Sequence, residues 1–273
     1  MAKDFLYTKA PLIEVIAEVH WELQPLLAIP NAAVDPHFPV FSDQFGDLVR
    51  SAGYTRIERL VPDQVPTEMF PHRPLFRYRR PPEEWPIFQI GPGLLAINIV
   101  PPYNGWQAFS AYIMQAVEWL FATYPLPEKY LKIERLEVRY LDGFTKMLGY
   151  SNYLTFLNEQ LTLDVKIPSH IAALSNSPQR AILGIEMQLP AASPKDSLGV
   201  FKFVPGKVRN DDALIMEVIC RVDHPADTQS PTDILQWMNS AHEMVREAFA
   251  RLTSDALKTQ MGPRIELEGG ETR

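Results

Sequence analysis

The chain has 273 residues, 46% of them hydrophobic and 11% aromatic, with a formal net charge of −7. That supply of apolar side chains suffices for a buried core, so wholesale disorder is excluded, and the length fits one large domain or two moderate ones. The acidic balance argues against general affinity for nucleic-acid backbones or anionic membranes.

At the N-terminus, Met1-Ala2-Lys3-Asp4-Phe5 lacks the apolar stretch of a signal peptide, and no segment approaches the roughly 20 apolar residues of a membrane span. A cytoplasmic protein of bacterial type is therefore expected. Residues 11–23 alternate: Ile13, Val15, Ala17, Val19, Trp21 and Leu23 share one face, while Glu14, Ile16, Glu18, His20 and Glu22 share the other. This is the pattern of a long strand with one face in the core. Pro25, Pro30, Pro36 and Pro39 forbid regular structure until Ser42, and Ser42 or Asp43 then caps a short helix that stops at Gly53. Strands are expected at Tyr54–Val61 and Leu75–Arg79, followed by a hairpin whose apolar runs flank Gly91-Pro92-Gly93. Trp106–Tyr124 reads as an amphipathic helix, with Phe109, Ile113, Ala116, Val117, Leu120 and Phe121 at helical spacing, ended by Pro125 and Pro127.

The order then restarts. Lys132–Phe144 predicts a strand and Asn152–Gln160 a short helix; further strands are expected at Thr162–Ile167, Ala181–Leu189, Gly199–Val204 and Ala213–Val222. The longest helix is expected from about Thr232 to Gln260, capped by Ser230 or Thr232 and stopped by Gly262-Pro263, with a frayed polar tail beyond it. Two segments about 120 residues apart, Ile16-Ala17-Glu18-Val19-His20-Trp21-Glu22-Leu23 and Arg135-Leu136-Glu137-Val138-Arg139-Tyr140-Leu141-Asp142, read as variants of one strand. Each opens a run of strand, short helix, antiparallel meander and long helix. The expected fold is therefore α+β: half-domains 1–127 and 128–263 duplicated about a pseudo-twofold axis, with residues 264–273 as a flexible tail. The halves would share a curved antiparallel sheet in a helix-grip or saddle-like arrangement.

Alternation along the second of these strands puts Arg135, Glu137 and Arg139 on one side. With the duplicate strand beside it, Glu18 and His20 could pair with these arginines. One reading is a solvated face of weak ion pairs, each worth about 0–1 kcal/mol. The other is the polar floor of a cleft, binding an anionic or polar group through arginine forks.

His242-Glu243 resembles the start of a zincin motif, but Arg246 stands where the second histidine ligand is required. His242 then reads as a residue at the border of the packed helical stripe. The six histidines show no ligand spacing, and neither a metal nor a cofactor is expected. Cys220, the single cysteine, lies in an apolar run and reads as a small core hydrophobe. Serine-nucleophile elbow, phosphate-loop and dinucleotide motifs are missing, so no catalytic residue is assigned. Asp211-Asp212 reads as a polar hairpin turn. His72-Arg73-Pro74-Leu75-Phe76-Arg77-Tyr78-Arg79-Arg80 is the only local basic cluster. Glu83 and Glu84 follow it, which favours charged gatekeepers on a strand edge over single-stranded nucleic acid.

Several segments together resemble an uncharacterised, sporadically distributed family of bacterial proteins of about this length. They are Pro11–Val15 with Glu18–Trp21, Phe88–Ile90 with Leu95–Asn98, Trp106, Ile133–Leu141, and His242 through Phe249 and Thr253. His20 stands where the family's first strand more often carries arginine. The resemblance implies no established activity; the family's patchy distribution points to accessory roles such as defence or toxin neutralisation. The leading expectation is a non-catalytic interaction protein binding a protein partner, with homo-oligomerisation open. The alternatives are a small-ligand binder with a polar cleft between sheet and long helices, and an enzyme using the same cleft. Glu18, His20, Arg135, Glu137, Arg139 and His242 are the expected ligand- or partner-binding residues.

Overall fold

A computed structural model describes residues 5–26, 33–62, 64–82, 84–226, 228 and 230–266. Met1–Asp4, Pro30, Glu83 and the tail beyond Glu266, on which some of the expectations above rest, lie outside these residues. The chain opens with β1 (Phe5–Tyr7), β2 (Leu12–Trp21), β3 (Gln24–Pro25), β4 (Ala33–Val34) and α1 (Phe38–Ser51). It continues with β5 (Arg56–Arg59), β6 (Phe76–Arg79), β7 (Ile87–Gly91), β8 (Leu94–Ile99), α2 (Trp106–Thr123) and α3 (Pro127–Tyr130). Then come β9 (Ile133–Thr145), α4 (Tyr153–Thr155), α5 (Ser169–Ala172), β10 (Ile185–Pro190), β11 (Leu198–Val208) and β12 (Asp211–Asp223). The last elements are α6 (Pro231–Leu252), α7 (Asp255–Gln260) and β13 (Arg264–Glu266).

One antiparallel sheet of nine strands, ordered β10-β11-β12-β9-β2-β8-β7-β6-β5, organises the molecule. Its centre is the β2–β9 pair, from which one meander runs outward in each direction. The register there places Glu18 opposite Glu137, His20 opposite Arg135 and Ile16 opposite Arg139. Val15, Ala17, Val19 and Trp21 of β2, with Leu136 and Val138 of β9, bury one face under α1, α2 and α6. The core continues into aromatic packing, with Trp21 edge-on to Phe41 and Phe45 edge-on to Trp119. α+β with a large antiparallel sheet is the observed class.

Several local expectations are corrected by the chemistry of their ends. α1 begins at Phe38, ahead of Ser42, because Pro39 sits in its first turn, where the missing N–H costs nothing. Residues 162–167 form no strand: Asn158 takes both the N–H and the carbonyl of Val165, leaving no ladder to join. The β11–β12 turn is at Arg209-Asn210, with Arg209 at a φ of 56°, and Asp211 and Asp212 already pair in the ladder. The basic-aromatic strand β6 lies inside β5, which is the edge. α6 starts on the predicted Ser230: Asp233 N–H donates to Ser230 Oγ at 3.2 Å, and Ser230 N–H donates to the Asp233 carboxylate at 3.1 Å. It ends at Leu252, short of the predicted Gln260. Ser254 N–H donates to Gln160 O at 2.8 Å, and Ser254 Oγ accepts from Leu257 N–H to start α7. Arg264–Glu266, assigned to the tail by sequence, instead form a two-stranded ribbon with Phe5–Tyr7.

Candidate functional site

Five of the predicted residues, Glu18, His20, Arg135, Glu137 and Arg139, gather on the sheet face turned away from the helices. Each charge there has a neighbour. Glu18 accepts from His20 Nε2 at 3.0 Å; Arg139 Nε donates to Glu137 at 2.9 Å and its NH1 lies 3.4 Å from Glu217; Arg135 pairs with Asp223. Burial alone would raise the Glu18 carboxyl, but the His20 hydrogen bond and the charges of His20, Arg139 and Arg135 hold it below the usual range. The pattern continues outward. Lys202 lies 3.5 Å from Glu217, while Arg77, Gln89, Asn98 and Glu14 form a chain of hydrogen bonds at 2.9–3.1 Å on the other side. The arginine forks are thus engaged by carboxylates of their own sheet. These five residues do not line the space between the sheet and the long helices.

His242 is elsewhere. It projects from α6 onto the helix-packed face of the sheet, where a cavity of about 260 Å³ lies between α6, β9, β12 and the β1–β13 ribbon. Strand alternation that points Leu136, Val138, Tyr140 and Phe144 toward the helices also points Asp142 there. Next to Asp142 the pairing with β2 slips at Ile13, a bulge that leaves Leu12 opposite Asp142 and lets Gly143 N–H donate to Pro11 O at 2.8 Å.

Asp142 is 5% exposed and lines the cavity, and among the described residues no hydrogen bond or ion pair reaches its carboxylate. Burial pushes that carboxyl up to about 7. His242 stacks on Trp106, rings 4.3 Å apart and 2° from parallel, and its Nδ1 shares a hydrogen bond of 2.8 Å with Tyr140 Oη. Tyr140 Oη in turn lies 3.2 Å from Tyr103 Oη. Burial, with the Arg246 charge adding to it, pushes the imidazole down to about 3, so it is neutral. Arg246 itself pairs with Glu243, and Arg264 lies over the Phe5 ring at 4.2 Å. The result is a chamber of aromatic and branched walls holding a carboxyl that titrates near neutrality beside a neutral imidazole and two phenols.

Of the predicted site residues only His242 reaches this cavity, and Asp142 escaped prediction. Its signal was present: an acidic residue in phase with Leu136, Val138, Tyr140 and Phe144, on the apolar stripe of a strand. Cys220 is fully buried, and burial pushes its thiol up to about 12, which makes it inert. Among the described residues no group of three His, Cys, Asp or Glu is placed to hold a metal ion, and no helix is long and apolar enough to cross a membrane. Comparison with protein-family models, with curated proteins and with solved structures returned no match.

Proposed function

We propose that the protein is a small-ligand-binding protein whose site is the cavity between α6 and the central strands. The observation that carries this reading is Asp142, a carboxyl only 5% exposed to which no described residue bonds. Leaving a charge so placed is costly, and such costs concentrate at working sites. A volume of about 260 Å³ is just under the ~300–1,000 Å³ usual for drug-sized molecules and suits a small one. The test is a fragment screen by ligand-observed NMR on the wild type and on Ala250→Trp, which puts an indole into the cavity wall from a half-buried helix position. Hits that disappear with Ala250→Trp support the reading; hits that persist unchanged place binding elsewhere and refute it.

A second reading, a protein partner docking on the opposite sheet face, is supported by the charge ladder across that face. Such a partner would meet it with alternating charge. Capture experiments with Glu18→Lys and Glu137→Lys together should then lose the partner.

For the fold, the finer reading is a duplication in a helix-grip arrangement. The register supports it. An axis through Glu18 and Glu137 exchanges Ile16 with Arg135 and His20 with Arg139, which is how the two similar strand sequences align. Both long helices, α2 and α6, follow their meanders and pack on the same face.

A further inference from the structure

We propose that the cavity takes a small organic ammonium ion, an amine carried on an aromatic or branched apolar group, with its cationic nitrogen on the Asp142 carboxylate. The inference rests on the small-ligand reading above and names the class of ligand.

What Asp142 lacks among the described residues is a cationic partner. Among the described residues, the titratable and charged groups that line the cavity with Asp142 are His242, Arg246 and Glu247 from α6, Tyr140 on its own strand with Tyr103 beyond it, and Tyr7 and Arg264 from the ribbon. None of them bonds to the Asp142 carboxylate. Arg246 is held by Glu243, and Arg264 is held over Phe5 and hydrogen-bonded to Tyr7 Oη at 3.2 Å. His242 is engaged by Tyr140 and sandwiched against Trp106, and it carries no charge to repel an ammonium group.

The walls point the same way. Phe5, Tyr103, Tyr140 and Phe249 line the cavity, and a desolvated cation gains from ring quadrupoles as well as from a carboxylate. An anionic ligand would meet Asp142 and Glu247, and the cations described in the lining, Arg246 and Arg264, are already engaged by Glu243 and by Phe5 and Tyr7. A neutral hydrogen-bond acceptor could be held only by a protonated Asp142, and the two cases have opposite pH dependence. Because the free carboxyl titrates at about 7, an ammonium ion must displace a proton to form the ion pair. Its affinity therefore rises between about pH 6 and about pH 8, and it releases a proton on binding near neutrality. A neutral hydrogen-bond acceptor would bind more weakly over the same rise.

Three probes of one shape separate the outcomes: phenethylamine, phenethyl alcohol and phenylacetate, titrated calorimetrically into the full chain in two buffers of different ionisation enthalpy. The expected result is that phenethylamine binds about tenfold or more tighter than the alcohol, with proton release, and that phenylacetate does not bind. Asp142→Asn should remove the preference while leaving the alcohol bound. Equal binding of amine and alcohol, tighter binding of phenylacetate, or amine affinity that falls with rising pH would overturn the ammonium assignment and leave the small-ligand reading standing. No binding of any of the three, in a wild-type protein shown to be folded by its near-ultraviolet spectrum, would overturn both.

Discussion

At the scale of single residues, the cavity pairs two groups displaced in opposite directions. Asp142 is raised to about 7 by burial, and His242 is lowered to about 3 by burial and by Arg246. Their effects on stability have opposite sign. Between the ordinary carboxylate value and about 7, native Asp142 binds a proton the unfolded chain does not, so its contribution to stability falls as pH rises. Between about 3 and the ordinary imidazole value, the unfolded chain binds a proton that native His242 refuses, so its contribution rises with pH. Over the shared window the two offset each other. Asp142→Asn should therefore raise wild-type stability at about pH 8 by on the order of 1–3 kcal/mol, having removed an unpaired buried charge. It should also leave a protein that weakens steadily on acidification below about pH 6. His242→Gln should do the reverse: a loss of roughly 1–2 kcal/mol at neutral pH from the missing stacking on Trp106, and stability that grows as pH falls from about 7 to about 4. Urea denaturation at a series of pH values reads both slopes. Equal slopes in the two variants would contradict the assignment.

At the scale of elements, the strands and helices that carry the site depend on a few end-specific contacts. The α6 capping box of Ser230 and Asp233 fixes where the helix starts, and with it the turn that delivers His242; Ser230→Ala should cost about 1 kcal/mol with an unchanged urea m-value. Gly143, beside Asp142, has no room for a methyl group, because a Cβ there would lie 2.4 Å from Val208 and 2.8 Å from Ile13. Gly143→Ala should cost about 1–3 kcal/mol through overpacking and disturb the bulge that seats Asp142, visible as a shifted Asp142 carboxyl resonance. The elements themselves were largely legible in the sequence. Alternation located β2 and β9, Gly91-Pro92-Gly93 located the β7–β8 hairpin, and apolar spacing located α2 and α6. What was not legible depended on partners distant in the chain. The α6–α7 break rests on the Gln160 carbonyl, and the fate of residues 162–167 rests on a side chain, Asn158. α1 starts earlier than a reading of prolines as breakers allows, because a proline in a first turn removes no intrahelical hydrogen bond.

At the scale of the whole molecule, the site is assembled from both ends of the chain. β1 and β13 pair as a ribbon beside the cavity, so Asp142 is desolvated partly by residues more than a hundred positions away from it. No pattern local to Asp142 could announce that, whereas the charged face of Arg135, Glu137 and Arg139 was plain from alternation and lies where the helices do not. Removing residues 1–9 should admit water to the cavity and lower the Asp142 carboxyl from about 7 toward ordinary values, as read by carboxyl carbon-13 titration; an unchanged value would mean that the ribbon contributes nothing to burial. On this scale the Asp142 cavity stands or falls as a ligand site. Its most direct test is a crystal structure of the full chain with phenethylamine. Ligand density is expected between α6 and β9, with the amine nitrogen within hydrogen-bond reach of the Asp142 carboxylate. Density at the sheet's charged face instead, or a cavity holding only water at saturating amine, would contradict it.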